Sequence, residues 1–137
     1  VSARGKARKR ALDVLFEADA KAVPVQQVLA EHQRRRVSES EPSLNDYTIF
    51  LVQGVVQHQS EIDALISAHA TGWDLARMPG VDRAILRIAV FEVTQSTDVP
   101  TAVAISEAIR MAEELSTEQS AGFINGVLGA VAVAAAP

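Results

Sequence analysis

An all-α fold of six to seven helices, arranged as two small packed helical bundles, is predicted by three observations. Apolar residues recur at helical spacing along most of the chain, no hairpin dipeptide or strand alternation interrupts them, and polar or Pro-marked breaks near 38–43 and 71–80 separate the periodic segments. With 137 residues and 48% hydrophobic content, the chain has enough apolar side chain for one domain. Its halves are expected to form an N-terminal subdomain over about 1–72 and a C-terminal subdomain over about 73–137.

The first helix follows from Ala7, Ala11, Val14, Leu15, Ala18 and Ala22, with Pro24 as its limit. Lys6, Lys9, Arg10, Asp13 and Glu17 fall on the opposite face. A shorter helix over 25–36 carries Val28 and Leu29 and runs into Arg34, Arg35 and Arg36. Ser43 and Asp46 resemble a capping box opening one long helix to about Ala70, whose seam is Tyr47, Leu51, Val55, His58, Ile62, Leu65 and His69. Gly54 within it costs helix stability of order 1 kcal/mol relative to Ala, which points to a closely packed neighbour.

In residues 81–96 only Asp82, Arg83, Arg87, Glu92, Thr94, Gln95 and Ser96 are polar, which predicts a central helix. The β-branched Ile85, Ile88, Val90 and Val93 favour a buried strand instead, but the helical pattern on both sides decides for helix. Pro100 opens the next helix, with Ile105, Ala108, Ile109, Ala112 and Leu115 opposite Glu107, Arg110, Glu113 and Glu114. Ser116 and Gln119 repeat the capping pattern before a last helix bearing Phe123, Ile124, Val127, Leu128 and Val131, where Gly122, Gly126 and Gly129 would permit backbone contact.

Charge is distributed unevenly. The formal net charge is −4, yet Arg4, Lys6, Arg8, Lys9 and Arg10 crowd the first ten positions with no acid, leaving −9 on residues 11–137. Because the cluster continues into a helix, its guanidinium groups would be preorganised for phosphate, and RNA suits a small basic strip on an acidic body better than a long duplex DNA does. The bland alternative is a frayed, solubilising end.

Cysteine is absent, which removes disulfides, thiolate metal sites and a cysteine nucleophile, and a cytoplasmic location is expected. Asp13, Glu17 and Asp19 break the apolar stretch behind the basic residues, so no secretory core follows, and the apolar run 127–136 is too short to cross a bilayer. No phosphate-binding glycine loop, paired-histidine motif or nucleophile elbow is visible, so no catalytic residue, metal ligand or cofactor is assigned. His58 and His69 lie about 16 Å apart on one continuous helix and read as core or edge histidines.

The run Val81, Asp82, Arg83, Ala84, Ile85, Leu86, Arg87, Ile88, Ala89, Val90, Phe91, Glu92, followed by Asp98, Val99, Pro100, Ala104, Ile105, Glu107, Ala108 and by Phe123, Ile124, Asn125, Gly126, Val127, Leu128, resembles the NusB transcription antitermination family. The arginine-rich start and Leu15–Phe16 stand in the expected order, so the likeness covers nearly the whole chain. The resemblance implies a NusB-like helical protein that acts by binding. It would pair with the small-subunit ribosomal protein NusE, hold the boxA element of nascent RNA, and join an RNA polymerase elongation complex with other Nus factors, favouring ribosomal RNA transcription. Carried over by position, it assigns phosphate contacts to Arg4, Lys6, Arg8, Lys9 and Arg10, and RNA contacts to Arg87, Gln119 and Phe123. Phe123 is placed equally well by base stacking and by core packing. Phe16 and Asp82 are assigned to the NusE-facing surface.

Competing readings remain open at this level. The acidic body can serve as a protein-docking scaffold whose RNA binding is nonspecific, and Phe16 with the apolar C-terminal tail can support a homodimer. A more remote one is the recognition module of an RNA-modifying enzyme, since related domains are fused to RNA methyltransferases.

Overall fold

The computed structural model describes residues 2–96 and 98–136. Among them are seven α-helices and one short 3-10 turn: α1 (Ala3–Lys21), α2 (Val25–Ser38), α3 (Asp46–Gln57), α4 (Gln59–His69), the turn Leu75–Arg77, α5 (Gly80–Gln95), α6 (Thr101–Leu115) and α7 (Ser120–Ala135). No strand occurs among the described residues.

Residues 81–96 form the centre of the molecule as their composition predicts. Helix α5 packs against α1, α3, α4, α6 and α7, and Ala84, Ile85, Leu86, Ile88, Ala89, Val90 and Phe91 are all buried. Its half-buried Arg83, Arg87 and Thr94 and exposed Gln95 mark the narrow side that the other helices leave open. A single cluster of buried apolar residues runs from Ala11 in α1 through Leu51, Ile66 and Ile85 to Val131 in α7, so both halves of the chain share it.

Helix α1 begins at Ala3, earlier than its apolar period indicates, because Ser2 caps it by accepting a hydrogen bond from Gly5 N at 2.9 Å. It ends at Ala22, whose left-handed backbone (φ 55°) closes the turn before Pro24. Arg8 meets Glu92 and Asp19 meets Arg83, so α1 runs antiparallel to α5.

The structure corrects four local expectations. The long helix from 43 to 70 is two helices, broken at His58, which closes α3 and opens α4 with a φ of −109°. The polar run Gln57, His58, Gln59, Ser60 offers no apolar side chain to hold a straight continuation over the core. Helix α3 is capped by Asn45, which accepts from Tyr47 N at 2.8 Å, rather than by Ser43. Helix α7 begins at Ser120 without a side-chain cap, since Ser116 turns its hydroxyl to Asp82. The α7 glycines admit no close backbone neighbour, as a Cβ built on Gly122, Gly126 or Gly129 meets no atom within 4 Å.

Gly54 behaves as its position predicts. A Cβ there would lie 2.2 Å from Cζ of Phe91, so the α5 ring crosses the α3 backbone where a side chain would stand. Gly54→Ala is therefore expected to destabilise the fold by about 1–3 kcal/mol in denaturant unfolding. Adding Phe91→Leu should cost less than the sum of the two single changes, because the smaller side chain vacates the collision.

Candidate nucleic-acid interface

The five basic residues of α1 do not form one uniform surface. Lys6 and Arg10 are exposed, and the ion pairs of this segment engage Arg4, Arg8 and Lys9 instead. Arg4 reaches Asp98 at 2.8 Å and also lies over the Tyr47 ring, its Cζ 4.3 Å from the centroid. Lys9 pairs with Glu114 at 2.6 Å. Both pairs are solvent-exposed and so are weak and exchangeable for a phosphate.

Arg8 differs from the others. Only 3% of its side chain is accessible, and its guanidinium grips Glu92 in a two-pronged bond, Nε to Oε1 at 3.0 Å and Nη2 to Oε2 at 3.0 Å. Glu107 stands 3.7 Å away, and the Tyr47 hydroxyl donates to the same Glu92 carboxylate. Burial disfavours the Arg8 charge, but the Glu92 hydrogen bond and the surrounding carboxylates outweigh it and hold its pKa above the ordinary value. Desolvation, followed by the Glu92 bond, pushes the Tyr47 phenol up. The expectation that Arg8 faces phosphate thus meets a guanidinium sealed inside the fold, where it ties α1 to α3, α5 and α6. Thr48 reinforces this seat by donating to the Ala7 carbonyl at 3.0 Å.

Arg10 faces a cleft that no sequence pattern announces. Arg10, Lys21 and, from α2, Arg35 and Arg36 line it opposite the acids Asp13, Glu17, Glu39 and Glu41, with His32 and Phe16 among its walls and about 600 Å³ enclosed. Glu17 bonds His32 at 3.0 Å and Lys21 at 2.9 Å, and these two partners hold its carboxyl down to about 2. Arg34, Arg35 and Arg36 were visible as a run, but only folding brings two of them beside Arg10.

The remaining assigned residues lie toward the other end of α5. Arg87 is 12% accessible and makes a bidentate pair with Asp63 of α4, at 2.9 and 3.0 Å. Gln119 is exposed immediately before α7. Phe123 packs partly against the core, its ring 5.8 Å from that of the half-exposed Trp73. Phe16 is 40% exposed and stands over Gly80, where an added Cβ would come within 3.0 Å of its ring. The resemblance implies a surface position for Asp82, yet it is buried at 3% exposure and accepts hydrogen bonds from Ser116 and, at 2.8 Å, from Ser120. Asp82 and Glu92 are ten residues apart, which separates the two ends of this surface by about 15 Å along α5.

Asp82 therefore fastens the α6–α7 turn to the start of α5. Asp82→Ala is expected to lower stability by about 1–3 kcal/mol, read by denaturant unfolding, because the buried Ser120 and part-buried Ser116 hydroxyls lose their acceptor. Any loss of partner binding in that variant should follow the displacement of α7.

Among the described residues no group of three or more His, Asp or Glu is placed to hold a metal ion, and no described helix is long and apolar enough to cross a membrane. What the fold and this surface define is a small all-helical protein that presents a braced cationic helix. The chain belongs to the NusB family, whose family model matches residues 5–133. It is 51% identical over 129 residues to the transcription antitermination protein NusB of Acidothermus cellulolyticus, covering 94% of this chain and 86% of that one. The NusB of a Nocardioides species is 50% identical over 131 residues, covering 96% and 94%. The fold matches that of T. maritima NusB with a TM-score of 0.84 and 32% identity, over 99% of this chain and 94% of the other. It also matches a crystal structure of the antitermination factors NusB and NusE in complex with dsRNA, with a TM-score of 0.81, 27% identity and 96% of each chain covered.

Proposed function

We propose that this chain is a transcription antitermination factor that binds boxA-type nascent RNA together with the ribosomal protein NusE. In this reading it joins the RNA polymerase elongation complex with other Nus factors and supports ribosomal RNA transcription. The observation that carries the reading is the NusB family match over residues 5–133, and the relative solved with NusE and dsRNA supports both partners. The protein acts by binding, in the cytoplasm, without a cofactor. Arg4, Lys6, Lys9 and Arg10 supply the phosphate contacts, Arg35 extends them across the cleft, and Arg8 positions the helix that carries them. Phe123 and Gln119 contact RNA farther along, while Phe16 contributes to the NusE surface and the acidic body complements a basic ribosomal protein.

The test is titration of labelled boxA-type RNA against a scrambled RNA of equal length, with and without NusE, across a salt series. Tighter binding of boxA that NusE strengthens is the expected result. Equal binding of both RNAs at every salt concentration would sink the sequence-reading role and leave a docking scaffold with a nonspecific polyanion contact.

A further inference from the structure

The exposed aromatic of α3 and the slot beside it have no role in the reading above. Phe50 is 46% accessible although it sits beside the core. Its ring stacks on Tyr47 at 5.7 Å and meets the edge of Phe91 at 5.3 Å. Beside these rings is a slot of about 260 Å³, with Phe50 and Phe91 as its apolar wall and Gln53, Gln57 and Gln95 on its rim. The slot exists because residue 54 is glycine, which lets the Phe91 ring lie across the α3 backbone. Its volume is below the ~300–1,000 Å³ of sites that enclose whole small molecules, and suits a single planar ring system.

The slot adjoins the cationic helix. From the Arg4 guanidinium it is 4.3 Å to the Tyr47 ring, and a further 5.7 Å from Tyr47 to Phe50. A phosphate held by Arg4 would therefore deliver its neighbouring base to an aromatic face. Exposed glutamine amides offer both a donor and an acceptor, the pair needed to bond the edge of an unpaired base. From this arrangement we infer that Phe50, with Phe91 and the three glutamines, forms a pocket for one unstacked RNA base, adjacent to the phosphate contact at Arg4. The inference rests on the RNA-binding function proposed above and adds a residue-level site to it.

The probe is a single-stranded boxA-type RNA carrying 2-aminopurine at each position in turn, titrated into the wild-type protein, Phe50→Ala, Phe50→Leu and Phe50→Trp. Phe50 is exposed and alanine favours helix, so the variants should keep the wild-type circular dichroism and unfolding midpoint. Stacking should quench the probe at one position in the wild type and in Phe50→Trp. Phe50→Ala and Phe50→Leu should abolish that quench and weaken affinity about tenfold, the scale of one lost stack. The slope of affinity against salt should be unchanged in them, since no phosphate contact is removed, whereas Arg4→Ala should reduce it by ~0.7. Wild-type affinity and quenching in Phe50→Ala would overturn the pocket while leaving RNA binding intact. Loss of NusE binding in Phe50→Ala with RNA binding unchanged would overturn it as well, in favour of a protein contact. Failure of the wild-type protein to bind RNA would instead remove the functional reading, and the pocket with it.

Discussion

Glu92→Ala is expected to lower the unfolding free energy by about 3–5 kcal/mol, the largest effect of any single change considered for this chain. The substitution leaves the Arg8 guanidinium buried with Glu107, at 3.7 Å, as its carboxylate partner, and it takes the acceptor from the Tyr47 hydroxyl. Denaturant unfolding followed by circular dichroism reads the change directly. A pair of apolar replacements, Arg8→Met with Glu92→Leu, should recover much of the loss, because removing both charges ends the cost of desolvating them. If Glu92→Ala unfolds within about 1 kcal/mol of the wild type, the ion pair does not hold α1 in place.

The second large effect concerns RNA. Replacing Lys6, Lys9 and Arg10 together by alanine should weaken binding of a single-stranded RNA roughly 50-fold near ~0.15 M salt, and reduce the slope of log K against log salt by about 2, as three lost phosphate contacts require. Stability should change little, since Lys6 and Arg10 are exposed and the Lys9 pair with Glu114 is at the surface. Arg8→Ala should show the opposite profile, a marked drop in stability with RNA affinity lost only as α1 loosens. Equal losses of RNA affinity with equal stability in the two proteins would contradict the division of labour within the basic cluster.

That division could not be read from the sequence. Five basic residues in ten positions are alike in composition, and helical periodicity separates them only by face. Arg8 lies close to the apolar face of Ala7, Ala11 and Leu15, and its seat becomes plausible only once Glu92, an acid among the apolar residues of the second half of α5, is known to pack against it. A buried acid in such a run needs a cation, but 84 positions separate the partners, and no local pattern connects them. Asp82 shows the same limit: a charged residue in the first turn of a helix usually faces water, and here two serines of a distant turn enclose it. The elements themselves were legible because periodicity is local. The helix after Pro100 follows from spacing, central helix α5 from its apolar content and helical flanks, and the Gly54 contact from the cost of glycine within a helix, whereas the break at His58 depends on where α4 must lie over the core. The slot beside Phe50 required the α3 and α5 rings to be placed together, which no one-dimensional pattern supplies.

The bond between Arg8 and Glu92 also sets an order of events during synthesis. Because the first helix is seated by a residue 84 positions later, the ribosome must release most of α5 before the basic segment acquires its fixed orientation. A nascent chain cut short of that point bears the full cationic charge at its start yet has nothing to hold it in register. Competence to present that charge thus arises only after α5 has been made and released.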